Sequence, residues 1–386
     1  MSHDLAPITP GILRWAREAA GYTTEVIAKK TGVKPETVEA WEDGTKPLTV
    51  GRLDTLSHIY KRPTAIFYLA EPPAEEDVRK AVDFRAGNPG KPPSLLYQLR
   101  HARERRVAAV DLAAEAGIQL QPFELSCKSS ESHAEVGRRL RSWLGVEMNE
   151  QELWSKDASG YMALNGWKDA IERKFVLIFQ AGKADLGTCR GFSVSADVYP
   201  VIVTNSVDVA VSRCFTLMHE LAHLGLRQGG LCDMHDGGQE TFCNRVAAAT
   251  LMPATSFPRP NPDLAENDPN FRVLARKYSV SEQALVLRML DLGLVDEKTY
   301  RRLRAAFDMR NAQARDRKDS EEKNLIIPQH TKAIARNGRA FTQLVLAAYH
   351  RHGISGHRAS RYLDVSFRFL GEIERDIARR ATRAAS

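Results

Sequence analysis

With 386 residues, 43% hydrophobic and 27% charged, the chain exceeds one ordinary domain and lies outside the disordered and fibrous classes. Its formal charge of +7 allows an acidic partner such as nucleic acid, although net charge bears on association rather than on fold. The start lacks a basic stretch followed by an apolar run, and nowhere do about 18 apolar residues follow one another, so a cytoplasmic protein without a membrane partner is expected.

In chain order, residues 8 to 70 read as five short helices, with starts at Thr9-Pro10, Thr23-Thr24, Lys34-Pro35, Thr49 and Pro63-Thr64. Val26, Ile27 and Ala28, then Val33, Val38 and Trp41, then Leu53, Leu56 and Ile59 recur at helical spacing and are expected to fill one small core. Thr31-Gly32-Val33 supplies the tight turn of a helix-turn-helix. The stretch GYTTEVIAKKTGVKPETVEAWEDGTKPLTVGRL resembles the repressor-like, XRE/Cro-type helix-turn-helix family. That resemblance implies a recognition helix near Lys34 to Glu42 and DNA contacts from Thr23, Thr24, Lys34, Glu36, Thr37 and Lys46. The helix is acidic: Glu36, Glu39, Glu42 and Asp43 repel phosphates unless directed away, so a protein-recognition or dimerisation module is the competing reading.

A segment rich in Pro, Gly and charge follows, EPPAEEDVRKAVDFRAGNPGKPPS, and reads as a linker. A long helix is expected from about Ser94 to Ala116, its Arg100, Arg103, Arg105 and Arg106 read as a solvated face rather than a phosphate-binding stripe. Val136, Leu140, Trp143 and Leu144 share one face of a helix over His133 to Leu144. Strand signals follow at Phe175 to Phe179 and Tyr199 to Thr204. From Asp268 to Val295 the chain is helical again, in a second helix-turn-helix-shaped pair. Beyond the charged run ARDRKDSEEKN, three helices with a turn at Gly353 are expected, with Arg351, Arg358, Arg361 and Arg368 read as a solvated helical face before any role in DNA contact.

The chemistry concentrates in Phe215-Thr216-Leu217-Met218-His219-Glu220-Leu221-Ala222-His223-Leu224. Residues four apart share a helix face, so the imidazoles of His219 and His223 reach one ion, with Glu220 beside it. An HExxH string arises by chance about once in fifty chains of this composition, so context decides. The string sits in a helix-forming apolar run after a strand. A Gly237-Gly238 break then precedes a second helix, ended by Pro253, with Glu240 in its first turn. A carboxylate from there completes three protein ligands and leaves a fourth position open. Cys232, Asp233, His235 and Asp236 also offer ligand atoms, but from a loop without packing support. Five cysteines, Cys127, Cys189, Cys214, Cys232 and Cys243, are an odd number without a CxxC pair and read as reduced thiols.

FTLMHELAHLGL followed by ETFCNRVAAATLMP resembles the ImmA/IrrE family of gluzincin-type zinc metallopeptidases, as do the upstream RGFS and YPVIVTNSVD. The resemblance implies zinc (Zn2+) held by His219, His223 and Glu240, with Glu220 as catalytic acid/base and Asn244 as the family's Asn/Asp on the second helix. Cys243 and Val246 stand where that family often has alanine and phenylalanine, and neither removes a ligand. His235 is the nearest candidate for oxyanion stabilisation.

The fold class expected is mainly α with a small β-sheet (α+β): a five-helix helix-turn-helix domain over 1–72, a linker over 73–93, a zincin-like α+β metallopeptidase domain over 94–310, a linker over 311–328 and a C-terminal helical domain over 329–386. Expected partners are operator DNA and a protein substrate, such as a helix-turn-helix repressor or another regulator, with a homodimer among the open assemblies. The competing reading is a transcription regulator or antitoxin whose metal domain senses or scaffolds without turnover.

Overall fold

The computed structural model describes residues 4–73, 92–182, 189–227, 237–258, 269–320 and 327–385. They divide into two compact units, one up to His101 and one from Ala102 onward. Among the described residues the architecture is mainly helical with a small three-stranded sheet, as the sequence indicates. Among the described residues no helix is long and apolar enough to cross a membrane.

In the first unit, α1 (Pro10–Ala19), α2 (Thr24–Thr31), α3 (Pro35–Glu42) and α4 (Val50–Tyr60) precede a 3-10 turn over Thr64–Tyr68. Local chemistry sets the boundaries. The Thr23 and Thr49 hydroxyls accept backbone N–H groups of Val26 and Arg52, and Pro10 and Pro35 occupy first-turn positions where a missing N–H costs nothing. Ile12, Leu13, Ile27, Val38, Trp41, Leu53, Leu56 and Phe67 are buried together, each large side chain contributing about 1.5–3 kcal/mol. Val26 departs from the expected core: on α2 the buried face is Ile27, Ala28 and Thr31, which leaves Val26 41% exposed.

The long helix α5 (Pro93–Glu115) corrects the reading of its arginines as a solvated face. Arg100 is buried and donates to the Lys61 carbonyl at 2.7 Å, Arg105 is buried over the Phe179 ring, and Arg106 donates to the Val198 carbonyl at 3.0 Å. Guanidinium groups bury readily when carbonyls and ring faces take the place of water.

In the second unit, α6 (His133–Leu144), α7 (Met148–Trp154) and α8 (Tyr161–Glu172) lead to a sheet of order β1-β3-β2. Strand β1 (Leu177–Ala181) runs parallel to β3 (Val201–Asn205), with Leu177 opposite Val201, and β2 (Gly191–Val194) runs antiparallel to it, with Gly191 opposite Thr204. Both expected strands start later than the apolar runs suggest. Phe175 lies in the left-handed region at φ 56, and the ladder opens where the Leu177 N–H donates to Pro200, itself unable to donate.

The helices α9 (Ala210–Gly225), α10 (Gly237–Leu251), α11 (Pro269–Lys277), α12 (Glu282–Asp291) and α13 (Glu297–Ser320) follow. α13 runs into the segment read as a linker, because its Arg, Ala, Gln and Lys are strong helix formers. At the C-terminal end α14 (Gln329–Asn337), α15 (Arg339–His350), α16 (Gly356–Leu363) and α17 (Leu370–Ala385) share a core of Phe341, Val345, Leu363 and Ile373. They dock within the second unit. Glu172 of α8 accepts the first N–H groups of α15, from Arg339 at 3.1 Å and Ala340 at 3.3 Å, and Phe341 packs edge-on against Phe179 of β1.

Candidate metal centre

The centre is built on two buried helices. Leu217, Met218, Leu221, Ala222 and Leu224 bury α9 on several sides, against α8, α10 and the sheet, so the helix cannot rotate without exposing apolar surface. Its C-terminal end is tied: the Gly225 carbonyl accepts the Cys127 N–H at 2.9 Å, and a Cβ at 225 would meet Cys127 Sγ at 3.1 Å. His219, Glu220 and His223 are buried on this helix.

α10 is held at its far end by three side chains from three other helices. Arg141 of α6 donates to the Thr250 carbonyl at 3.0 Å, Gln151 of α7 to Leu251 at 3.0 Å, and Arg288 of α12 to Met252 at 2.8 Å. Each such carbonyl left unsatisfied in the interior costs about 1–3 kcal/mol, so α10 cannot slide along its axis. Buried Val246, Ala247 and Leu251 pack in the same core as α9. Glu240 in the first turn of α10 is thereby aimed at the histidines.

His219 Nε2 and His223 Nε2 lie 3.1 Å apart, Glu240 Oε2 lies 3.3 Å from the first and Glu240 Oε1 3.2 Å from the second. Bonds of about 2.0–2.2 Å at tetrahedral angles separate ligand atoms by roughly 3.3–3.6 Å, close to the spacing of the two histidine nitrogens and of each nitrogen to its own oxygen of the Glu240 carboxylate. The residues fit a tetrahedral divalent cation with two imidazoles and one carboxylate. Among the described residues no second cluster of three such ligand atoms occurs.

The electrostatics favour positive charge at that point. Burial lowers the His219 pKa, but the bond to Glu240, the charge of Glu220 and a hydrogen bond with Asn244 outweigh it and raise the ring above its ordinary value. Burial raises the Glu240 carboxyl, yet its bonds to His219 and His223 bring it down to about 2. Glu240 keeps 27% of its side chain exposed, so the cluster opens towards solvent on that side.

Gly191 of β2 stands beside Glu220: a Cβ there would lie 3.6 Å from Glu220 Oε1, but 2.7 Å from Thr216 Cγ2 and 2.8 Å from the Val203 carbonyl. It is the approach to Thr216 and to the Val203 carbonyl, next to Glu220, that only glycine permits.

Residues 183–290 match a peptidase family model described as an IrrE N-terminal-like domain, and residues 13–67 match a helix-turn-helix model. The chain thus carries, in order, one segment similar to a helix-turn-helix and one similar to an IrrE N-terminal-like domain. Searched against curated proteins and solved structures, it matched none. The IrrE-like match takes in β2, β3, α9 and α10, the elements that carry Gly191, His219, Glu220, His223 and Glu240.

Of the other candidates, Asn244 lies one turn beyond Glu240 against His219, whereas Cys232, Asp233, His235 and Asp236 fall outside the described residues. Cys127, Cys189, Cys214 and Cys243 are buried free thiols, and burial lifts Cys127 to about 11.

In the helix-turn-helix, Lys34, Glu36 and Lys46 are exposed, Thr24 and Thr37 are half-buried, and the Thr23 hydroxyl caps α2. The acidity of α3 is partly turned away: buried Glu42 accepts both Arg17 Nε at 2.7 Å and Nη2 at 3.0 Å, and Asp43 pairs with Arg14. Sequence reading missed Gly191, and it missed Arg141, Gln151 and Arg288 as supports of α10. The RGFS string was the available signal for the first; nothing local marks a side chain that caps a helix a hundred residues away.

Proposed function

We propose that the chain is a regulatory zinc-dependent endopeptidase of the cytoplasm, joined to an operator-binding helix-turn-helix, whose substrate is a repressor or other regulatory protein in transcriptional, stress, mobile-element, toxin-antitoxin or phage-defence control. The observation that carries this reading is the convergence of His219 Nε2, His223 Nε2 and the Glu240 carboxylate at 3.1–3.3 Å, with buried Glu220 next to His219 on the same helix. The peptidase family match and the helix-turn-helix match support its two halves.

When bound by these residues, zinc supplies a Lewis acid that polarises a carbonyl and brings water towards a pKa of about 7. Glu220 takes the proton from the attacking water and delivers it to the leaving amine, because its carboxylate sits beside the ligands without being one of them. His219 and His223 are oriented by their fixed helix, and Asn244 holds the His219 ring. The close pass of β2 at Gly191 bounds the reaction space on the Glu220 side.

The test is incubation of the purified chain and zinc with a helix-turn-helix repressor encoded beside its gene, followed by mass spectrometry of the products. New N-termini that form with zinc and not with a chelator support the reading. An intact substrate under both conditions, with candidate regulators exhausted, counts against it.

A further inference from the structure

The C-terminal helices repeat the geometry of the helix-turn-helix near the N-terminus. In the first instance the Thr23 hydroxyl caps α2, Gly32 ends it in the left-handed region at φ 68, and α3 begins at Pro35. In the second, the Ser355 hydroxyl caps α16, Asp364 ends it at φ 47, and a 3-10 turn over Phe367–Phe369 runs directly into α17. From cap to left-handed residue is nine positions in both, and from there to the next helix three.

The buried positions correspond as well. Ile27, Thr31, Val38 and Trp41 stand at the same offsets from Thr23 as Ala359, Leu363, Leu370 and Ile373 from Ser355, and all eight are buried. So does the carboxylate contact that ties the second helix back: Glu42 binds Arg17 of α1, and Glu374, at the same offset, lies 2.9 Å from His350 Nε2 of α15. Cap, backbone handedness, burial and carboxylate contact thus agree between two segments of different composition. The α11–α12 pair differs, because its second helix buries Leu285, Val286, Arg288 and Met289 and has no face to offer.

We propose that α16 and α17 form a second helix-turn-helix that binds double-stranded DNA, with the first turns of α17 at the major groove and arginines of both helices on the phosphates. Residues 351–386 hold eight arginines and four acidic residues, against nine basic and seven acidic residues over 8–70. Three of those acids have basic partners: Asp364 with Arg336, Glu372 with His330 and Glu374 with His350. Arg361 and Arg368 are exposed and enter no ion pair among the described residues, and Arg375 donates only to a carbonyl of its own helix. They leave the outer face positive, as phosphate binding requires.

A surface concavity between α16 and the turn that follows it is lined by Ser360, Arg361, Asp364, Ser366 and Phe367, hydroxyl and guanidinium donors for phosphate oxygens beside an aromatic ring, with the Asp364 carboxylate paired to Arg336. Phe367 is 56% exposed at the start of the second helix, where an apolar side chain meets a thymine methyl group. A protein-protein interface is the other use of such a face, but eight arginines against four acidic residues, three of them already paired, are complementary to a polyanion.

The test uses the full chain and a fluorescein-labelled mixed-sequence duplex of about 30 base pairs, titrated by anisotropy over a series of salt concentrations. The double variant Arg361→Ala/Arg368→Ala is expected to bind about tenfold more weakly at low salt, with the salt slope reduced by about two and the melting temperature unchanged. p-Benzoylphenylalanine in place of Phe367 is expected to photocrosslink to the duplex. Wild-type affinity and slope in the double variant, or no binding of the duplex by the wild-type chain at low salt, overturns the proposal. So does a crosslink from position 367 to a second copy of the chain with none to DNA.

Discussion

Gly191 of β2 and Glu220 of α9 lie so close that a single methyl group on the strand would stand 3.6 Å from the glutamate's Oε1. The same methyl would overlap Thr216 Cγ2 at 2.7 Å and the Val203 carbonyl at 2.8 Å, so it cannot enter without moving β2 off the helix. Gly191→Ala should therefore cost about 1–3 kcal/mol, lowering the melting temperature by several degrees, and should reduce turnover more than zinc content. Thermal unfolding and metal analysis of the variant check this; an unchanged melting temperature contradicts it.

The ligand assignment separates Glu240 from the loop before it. Glu240 sits on a helix whose last carbonyls are held by Arg141, Gln151 and Arg288, whereas Cys232 and His235 lack comparable sequence support. Glu240→Ala should lose zinc affinity by well over tenfold, while Cys232→Ser and His235→Ala bind near wild type, measured by competition with a chromophoric chelator. Zinc loss in Cys232→Ser equal to that in Glu240→Ala would reverse the assignment.

Asp291 gives a pH signature away from the centre. Its side chain is 0% exposed, with Arg245 Nε at 3.2 Å and His133 Nε2 at 3.7 Å, and burial raises its carboxyl from 3.8 to about 6 despite Arg245 and Arg288. A raised carboxyl pKa means that the folded state holds the extra proton. The resulting stability is complete below about 3.8 and is lost as pH rises through about 6. Chemical denaturation across pH 4 to 7 should show this loss, on the order of 2 kcal/mol, in the wild type and not in Asp291→Asn. Parallel curves for the two proteins would refute it.

Arg17 and Glu42 bind α1 to α3 inside the helix-turn-helix. Glu42→Ala leaves the Arg17 guanidinium half-buried without its carboxylate and should destabilise the first unit by about 2–4 kcal/mol. Hydrogen exchange of α1 to α4 reads this directly: faster exchange there, with α9 and α10 unchanged, is expected, and unchanged exchange in α1 to α4 contradicts it.

The parts that sequence made legible are those with local causes. Thr23, Thr49, Pro10 and Pro35 mark helix starts through their own hydroxyls and rings, and the four-residue spacing of His219 and His223 fixes a shared face before any tertiary contact. Helix α6 falls where its apolar face placed it. The rest depends on partners distant in the chain. Arg100, Arg105 and Arg106 looked solvated because the carbonyls of Lys61 and Val198 and the ring of Phe179 that receive them are far away in sequence. Val26 looked like core because one short helix does not reveal which neighbour becomes its floor. β2 is four residues long and starts with glycine, a poor local strand signal made sound by its ladder to β3.

The central claim is that Glu220 moves protons while His219, His223 and Glu240 hold the metal, and one paired measurement tests it most directly. Zinc content and the rate of repressor cleavage are determined on the same preparations of the wild type, Glu220→Gln and His219→Ala. The account predicts zinc near wild type in Glu220→Gln with cleavage reduced by at least about 10²-fold, and loss of both zinc and cleavage in His219→Ala. Zinc loss in Glu220→Gln as severe as in His219→Ala, or cleavage by Glu220→Gln at the wild-type rate, would contradict it.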